Sequence, residues 1–331
     1  MSTMPKPVAE EAVLMGQDAS QGWLVTENHV DMSRPAKPLR LLHMQAEPQS
    51  VTIDANKTAL LIVDMQNDFC TEGGWMHSRG IDVSPNRKPI APLKSLIGKC
   101  REAAIPVVWV NWGVRKDLLN IAPSLQHAHN PHGNETNLAR PVPGTRSEVI
   151  AKGGWGAEVV DEINPGDGDH QITKHRFSAF WDCETDAVLR NLGVKTLLVA
   201  GVNMDQCVMT TLEDATFLGY DTILLEDCTA TTSPDYCVQA VLYNVKLLFG
   251  FVAKSDAVHD ALDEVVLLLL VRPRRHEGLH GAGRGSPSRR GGVVAESTVR
   301  LVVRTSISTR MWEKVRGHGV ELKLDPGSRA G

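Results

Sequence analysis

The sequence lacks the cysteine patterns that mark disulfide-stabilised proteins. Its six cysteines include no Cys-x-x-Cys pair and no closely spaced group. They are Cys70, Cys100, Cys183, Cys207, Cys228 and Cys237. Such spacing is typical of reduced thiols, so it excludes a secreted disulfide scaffold and predicts a cytoplasmic protein.

Long apolar stretches, a leader segment and a basic surface are also missing. The longest apolar run, residues 265–271, is far shorter than the roughly 20 residues that a membrane-spanning helix needs. The first residues show no basic start followed by an apolar run, as a secretion signal would. The net charge is −4, and the body of the chain has no basic face with interleaved aromatics. We therefore expect neither a membrane nor a nucleic-acid partner.

What the sequence does contain is an alternation of short apolar runs and helical patterns. Six runs have the character of buried strands: residues 58–63, 107–110, 170–173, 196–200, 222–225 and 247–252. Strands that alternate with helices indicate a parallel sheet covered on both faces. We therefore predict an α/β fold, a three-layer α/β/α, Rossmann-like domain with a six-stranded parallel sheet over residues 51–264.

The two ends of the chain differ from this domain. Residues 1–50 are rich in proline and polar residues without a sustained period, which predicts an irregular N-terminal arm. Residues 265–331 contain thirteen Lys and Arg against five Asp and Glu, a net charge of +8. We predict a basic tail of low order there. A tail that binds an acidic partner, a disordered extension and a shifted reading frame all remain open as interpretations.

Three ionisable residues lie at the carboxyl ends of predicted strands: Asp64, Lys174 and Cys207. These strand ends converge at the edge of the sheet where open α/β folds bind ligands. Cys207 also begins a predicted helix, whose dipole favours the thiolate. A thiolate attacks carbonyl carbon, an ammonium lowers the thiol pKa, and a carboxylate can carry a proton to a leaving amine. Together they form a candidate catalytic site.

Each of these residues also has an ordinary structural interpretation. A cysteine at a helix start is most often a small core residue, and an aspartate after a strand often caps a helix. A lysine at a strand end is usually solvated. The turn at residues 201–207 can aim backbone N–H groups at a developing oxyanion. It is the conjunction of the three residues with this turn that favours catalysis.

Residues 111–146 form a long segment that bears proline, histidine and asparagine, which predicts a lid or a binding loop. The candidate substrate-binding residues are Asn111, Trp112, Trp155 and Phe180. Tryptophan supplies an apolar wall and one donor, and ordinary core packing is the alternative.

Three histidines in this segment, His127, His129 and His132, have a spacing that can bind a metal. No nearby cysteine or acidic residue completes a ligand set. We therefore favour a solvated or substrate-contacting loop, and we expect no metal and no cofactor.

Three motifs resemble those of the isochorismatase-like cysteine hydrolases. They are Leu-Ile-Val-Asp-Met-Gln-Asn-Asp-Phe at residues 61–69, Ile-Thr-Lys-His-Arg-Phe-Ser-Ala-Phe at 172–180 and Gly-Val-Asn-Met-Asp-Gln-Cys at 201–207. The resemblance is closest to the ureidoacrylate and biuret amidohydrolases, and it extends over most of residues 55–255. Met-Asp at 204–205 departs from the family pattern, which commonly has threonine near there. The Asp-x-His motif of metal-binding nicotinamidases is absent.

The resemblance implies a function and a set of roles. Cys207 would be the nucleophile, Asp64 the general acid and base, and Lys174 the residue that stabilises the thiolate. The backbone N–H groups of Asn203 and Cys207 would form the oxyanion hole, with a cis peptide at 202–203. The implied enzyme cleaves a C–N bond of a small amide or ureide through a thioester, as a homodimer or homotetramer. The alternatives are a vinyl ether hydrolase of the isochorismate type and a non-catalytic binding protein.

Overall fold

The strands of the protein are short except within one sheet. The computed structural model describes residues 12–133, 136–271, 301–303 and 322–324. The strands are β1 (Val13–Met15), β2 (Trp23–Val25), β3 (Val30–Asp31), β4 (Leu41–Met44), β5 (Val51–Asp54), β6 (Thr58–Val63), β7 (Val107–Trp112), β8 (His170–Lys174), β9 (Thr196–Val202), β10 (Asp221–Ala230), β11 (Phe251–Ala253), β12 (Leu301–Val303) and β13 (Leu322–Leu324).

Helices of one to several turns connect these strands. They are α1 (Asn67–Cys70), α2 (Trp75–Ser78), α3 (Ser84–Arg87), α4 (Ile90–Glu102), α5 (Pro123–His129), α6 (Thr185–Asn191), α7 (Met209–Phe217), α8 (Asp235–Asn244) and α9 (Ser255–Val271). Short 3-10 turns occur at Ala55–Lys57, Trp155–Ala157 and Asp161–Ile163, and π-helical turns at Met204–Val208 and Val245–Phe249.

Six strands form the central sheet, in the order β11-β10-β9-β6-β7-β8. Every pairing in it is parallel. β6 and β9 are buried along their whole length, as expected for strands covered by helices on both faces. In α4, Leu93, Leu96, Ile97 and Cys100 recur at helical spacing and form the buried face. The predicted three-layer α/β/α fold with a six-stranded parallel sheet is confirmed.

The middle of this sheet is a topological switch point. β7 and β8 lie on one side of β6, whereas β9, β10 and β11 lie on the other. At such a point the loops leave the neighbouring strands in opposite directions and open a crevice at the carboxyl edge. Asp64 follows β6, Lys174 ends β8, and the turn that carries Cys207 follows β9. The topology therefore brings the three predicted catalytic residues to one crevice.

Gly201 permits the close approach of β9 to β6 at this edge. Its φ is +115°, and a Cβ atom there would lie 2.0 Å from the carbonyl oxygen of Val63. Any larger side chain would push apart the two strands from which Asp64 and Cys207 extend. Glycine is therefore required at this position by both backbone conformation and space.

The N-terminal region differs from the prediction. β1, β2 and β3 form a small antiparallel sheet, and β4 pairs with β5 in antiparallel register. The expectation of an irregular arm over residues 1–50 is therefore wrong for the part described, from residue 12 onward. All three residues of β1 are exposed, so this strand has no buried face. Its sequence therefore lacks the alternation of apolar and polar residues that predicts a strand.

The C-terminal region forms a separate unit. The chain divides into residues 1–262 and 263–331. In the second unit β12 and β13 pair in parallel. Most of the predicted basic tail, residues 265–331, and the first eleven residues of the predicted arm lie outside the described residues. Among the helices that the structure describes, none has the length and apolar character needed to cross a membrane.

Candidate active site

Asp64 and Lys174 form a buried ion pair at the switch point. Lys174 Nζ lies 2.9 Å from Asp64 Oδ2, and both side chains are almost completely buried. The ammonium also donates to the carbonyl oxygens of Arg176 (3.0 Å) and Phe177 (3.2 Å). It lies 4.1 Å from the centre of the Trp112 ring, a cation–π geometry. Three oxygens and a ring thus hold the Lys174 charge in place beside Asp64.

Asp64 lies in an environment that makes it a better base than an exposed aspartate. Burial raises the pKa of Asp64 above its usual range, whereas the Lys174 ammonium and hydrogen bonds from the Cys207 thiol and the Trp112 N–H act in the opposite direction. The Trp112 N–H donates to Asp64 Oδ1 at 3.2 Å. A carboxylate whose pKa is raised binds a proton more readily, which suits a group that must accept and return one.

Cys207 is a buried thiol and not the preformed thiolate that its helix position suggests. Burial raises the pKa of Cys207 to about 12, although Lys174 and the Trp112 indole act to lower it. The Trp112 Nε1–H donates to Sγ at 3.4 Å. Desolvation of the anion exceeds the attraction of the ammonium because Asp64 already neutralises that charge. In the resting site the proton is therefore on sulfur, within reach of the Asp64 carboxylate.

The turn before Cys207 has an unusual backbone. The Val202–Asn203 peptide is cis, as the family resemblance implies. Met204–Val208 then forms a π-helical turn that continues into α7. The N–H groups of Gln206 (3.1 Å) and Val208 (3.2 Å) both donate to the carbonyl oxygen of Asn203. The side chain of Asn203 is fixed by Asn86, whose Nδ2 donates to Asn203 Oδ1 at 2.9 Å.

A cavity of about 360 Å³ opens beside these residues. Aromatic and aliphatic side chains form most of its wall, together with the polar groups of the turn. The lining residues are Asp64, Phe69, Trp75, Met76, Arg79, Ile81, Trp112, Ala128, His129, Phe177, Val202, Asn203, Gln206 and Cys207. The volume suits a small molecule, and the carboxylate and the thiol lie in the same wall.

Of the predicted substrate-binding residues, only Trp112 lines this cavity. Asn111 precedes it on β7, and successive strand residues point to opposite faces, so the two cannot face one cavity. Trp155 lies under the Arg146 guanidinium (4.8 Å) and lines a separate polar groove of about 700 Å³. Phe180 packs against Tyr220 at 5.8 Å. The prediction is therefore wrong for Asn111, Trp155 and Phe180 as walls of this cavity.

The three histidines of the predicted lid do not converge. His129 is buried and lines the cavity, whereas His127 and His132 are exposed. Within the ranges that the structure describes, no group of three or more His, Cys, Asp or Glu side chains is placed to hold a metal ion.

Two residues that support the site were not singled out from the sequence. Gln66 Nε2 donates to the carbonyl oxygens of Trp112 (2.8 Å) and Ala157 (2.7 Å), and its Oε1 accepts from the Trp112 N–H (2.8 Å). Gln66 thereby orients Trp112 against the thiol. Gln66 lies two residues after Asp64 within the motif at residues 61–69, so the sequence did point to it. The second residue, Asn86, which donates to Asn203, lies in a segment without a recognisable motif.

The sequence of this chain is similar to those of known proteins over most of its length. A family model described as the isochorismatase domain matches residues 58–257. The ureidoacrylate amidohydrolase RutB of Klebsiella pneumoniae is 32% identical over 237 residues, which cover 71% of this chain and 100% of that protein. A protein of the same name from Cronobacter turicensis is 33% identical over 230 residues, which cover 69% of this chain and 98% of that protein.

Solved structures share the fold. A cysteine hydrolase from Pseudomonas syringae pv. phaseolicola superimposes with a TM-score of 0.55 at 23% identity, covering 70% of this chain and 100% of that one. An isochorismatase family protein from Desulfovibrio vulgaris gives a TM-score of 0.51 at 27% identity, covering 62% and 98%. From the family match, which includes more than half of the chain, and from the full-length relatives, we conclude that this protein belongs to the isochorismatase family.

Proposed function

We propose that this protein is a cysteine-dependent amidohydrolase that cleaves a C–N bond of a small amide or ureido compound through a thioester intermediate. The observation that carries the proposal is that the Cys207 thiol and the Asp64 carboxylate line one cavity, while the buried Lys174 ammonium pairs with Asp64. The class of reaction, hydrolysis of a non-peptide C–N bond, is that of the Klebsiella relative.

In the first half-reaction, Asp64 accepts the proton of Cys207 as sulfur bonds to the substrate carbonyl carbon. Because the resting thiol is protonated, attack requires Asp64 to remove this proton. The carbonyl oxygen becomes an oxyanion. Its collapse breaks the C–N bond, and the leaving nitrogen takes the proton that Asp64 holds. The products of this half-reaction are a free amine or ammonia and an acyl group on sulfur.

In the second half-reaction, water attacks the thioester. Asp64 takes a proton from the water as its oxygen bonds to the carbonyl carbon. Collapse of the second oxyanion breaks the C–S bond, and the proton returns to sulfur. The site then regains its starting protonation. Lys174 neutralises the ionised Asp64 carboxylate, and while Asp64 holds the proton the negative charge of the oxyanion offsets the Lys174 ammonium.

The oxyanion in both halves would be stabilised by the backbone N–H groups of Asn203 and Cys207. Both residues line the cavity; Asn203 immediately precedes the π-helical turn and Cys207 lies within its first turn, where backbone N–H groups are most often left without an intrahelical acceptor. Donors that are fixed before the reaction starts cost no reorganisation when charge develops.

A substrate panel tests the proposal. We expect release of ammonia or amine from 3-ureidoacrylate or a related ureide, with kcat/KM on the order of 10⁴ M⁻¹ s⁻¹ or more for the preferred compound. The panel should include biuret, N-carbamoylsarcosine, nicotinamide and isochorismate. Cleavage of isochorismate without turnover of any amide or ureide would establish the vinyl ether alternative instead. Turnover of none of them would favour a binding protein.

We also propose that the enzyme is a cytoplasmic homodimer or homotetramer. The face of α8 and the turn after it expose large apolar side chains, Tyr236, Tyr243, Leu247 and Leu248. A cluster of this kind on a folded chain marks an interaction surface, and a second copy would cover it. Light scattering coupled to gel filtration should give a mass of two or four chains of 36.1 kDa, and a monomer at micromolar concentration would contradict the proposal.

A further inference from the structure

His129, the last residue of α5, is held inside the aromatic wall of the active-site cavity. Its ring stacks on Phe177 with centroids 5.8 Å apart and an interplanar angle of 8°. It also meets Trp112 edge-on at 5.7 Å and lies 5.4 Å from Trp75. The mechanism proposed above makes no use of this imidazole, although three lining rings fix its orientation.

The hydrogen bonding of His129 determines which nitrogen a ligand can meet. Nδ1 lies 2.8 Å from the carbonyl oxygen of Leu125, one turn earlier in α5. A carbonyl oxygen only accepts, so Nδ1 carries the hydrogen and donates it. Burial lowers the pKa of His129, and the charges of Lys174 and Arg79 act in the same direction, so the ring is neutral at pH 7. Nε2 is therefore an unprotonated acceptor.

Nε2 belongs to a ring that lines the cavity. Within residues 12–133 and 136–271, no side chain or backbone group donates a hydrogen bond to this nitrogen. A ligand that enters the cavity with an N–H or O–H group can therefore donate a hydrogen bond to Nε2.

Trp75 supplies a second, independent indication that a polar ligand binds here. Its indole is 93% buried in the same cavity wall, since only 7% of its surface is exposed. Its Nε1–H is buried without a hydrogen-bond acceptor among the described residues. Asp68 fixes the start of α2 by accepting from the Trp75 backbone N–H at 3.0 Å. The cavity thus presents one unused donor and one unused acceptor on adjacent rings.

Asp64 and His129, which line the same cavity, constrain the substrate if the proposed function holds. Asp64 must face the leaving nitrogen, because it delivers the proton there. A simple amide carries its nitrogen only on that side of the carbonyl, so it leaves His129 Nε2 unpaired. A ureide has a second nitrogen on the other side of the same carbonyl. A ureide therefore brings one N–H to Asp64 and another to His129, which line the same cavity, and the Trp75 donor matches an oxygen of the same ligand.

We propose that His129 Nε2 accepts a hydrogen bond from the non-leaving N–H of the substrate and thereby makes the enzyme select ureides over amides. The inference deepens the proposed function and rests on it. It assigns His129 a role in specificity and leaves the bond-breaking steps to Asp64 and Cys207.

The test compares two substrates that differ in one group: 3-ureidoacrylate and 3-acetamidoacrylate, in which a methyl group replaces the terminal NH₂. The readout is the ratio of kcat/KM for the ureide to that for the amide, determined for each variant. His129→Phe keeps an aromatic ring against Phe177 and removes the acceptor. We expect the ratio to fall about 10- to 100-fold, the discrimination typical of a buried polar group left unpaired.

Two further variants make the test specific. His129→Gln retains an acceptor oxygen and should restore part of the ratio. His127→Gln alters an exposed histidine two residues earlier on the same helix and should leave the ratio as in the unmodified enzyme. Activity on the acetamido compound shows whether His129→Phe is folded.

The outcomes separate this inference from the proposed function. An unchanged ratio in His129→Phe, an equal loss on both substrates, or a His129→Gln variant no better than His129→Phe would overturn the role of His129. Cys207 would still be the nucleophile in each of those cases. If the unmodified enzyme cleaves neither compound nor any other ureide, the proposed function and the inference both fail.

Discussion

Replacing Cys207 with alanine should lower kcat for C–N hydrolysis by about 10⁴-fold or more, because removal of a nucleophile leaves only substrate binding and the oxyanion donors. Cys207→Ser should be nearly as inactive, since Asp64 would have to deprotonate a much weaker acid than a thiol. The measurement is single-turnover release of amine from the best ureide of the panel. The fold should persist, because the change removes one buried sulfur atom and no contact within the sheet.

Cys70→Ala is the matched control for this experiment. Cys70 is also a fully buried cysteine near the site, and burial raises the pKa of its thiol strongly. It does not line the cavity, so its loss should cost some stability while activity persists. An Asp64→Asn variant assayed beside Cys207→Ala tests the alternative chemistry. Loss of activity in the Asp64 variant with retention in the Cys207 variant would indicate acid catalysis of the isochorismate type.

The strand ends were predictable from the sequence, and the reason is topological. The short apolar runs that precede Asp64 and the turn of Cys207 are typical of strands in a doubly covered sheet, and parallel strands bring their carboxyl ends to one edge. The same argument predicts the position of Lys174 at the end of a strand, although the residues before it, 170–173, form a less apolar run. The family and the class of hydrolase are likewise confirmed, whereas the roles of the individual residues remain predictions that the variants above test.

The protonation of Cys207 was not predictable, because it depends on how tightly the site is closed. A helix start and a nearby lysine both favour the thiolate, and both are visible in the sequence. Complete burial opposes them and exceeds them, and it arises from Trp112 and the walls packed around the sulfur. Only the packed structure shows which of these electrostatic effects is larger.

The walls of the cavity were harder to identify than its chemistry. The sequence proposed Asn111 and Trp112 together, but the alternation of a strand allows only one of them to face the crevice. The sequence also proposed Phe180 as a wall of the cavity. The phenylalanine ring that lines the cavity there is instead that of Phe177, three residues earlier. Residues in loops have no period that relates sequence position to direction, so their orientation depends on tertiary packing.

Lys174→Met should destabilise the folded protein by about 3–5 kcal/mol at pH 8, because it leaves the Asp64 carboxyl buried without its cation. The double variant Asp64→Asn/Lys174→Met should lose less, since it buries no uncompensated charge. Denaturant unfolding of the three proteins measures both effects. Lys37→Met is the control: the Lys37–Asp18 pair is just as short (2.7 Å) but lies on the surface, so its loss should cost less than about 1 kcal/mol.

The pH dependence of the Lys174→Met effect distinguishes lost charge compensation from lost packing. Without Lys174, burial holds the pKa of Asp64 above its unfolded value of about 3.9, so the folded state keeps a proton that the unfolded state releases. Stability relative to the double variant should then fall as pH rises above about 4, by up to about 1.4 kcal/mol per pH unit, until Asp64 ionises in the folded state. Near pH 4 the two variants should be equally stable. A difference between them that is the same at pH 4 and pH 8 would assign the loss to packing of the lysine stem and would contradict the ion-pair account.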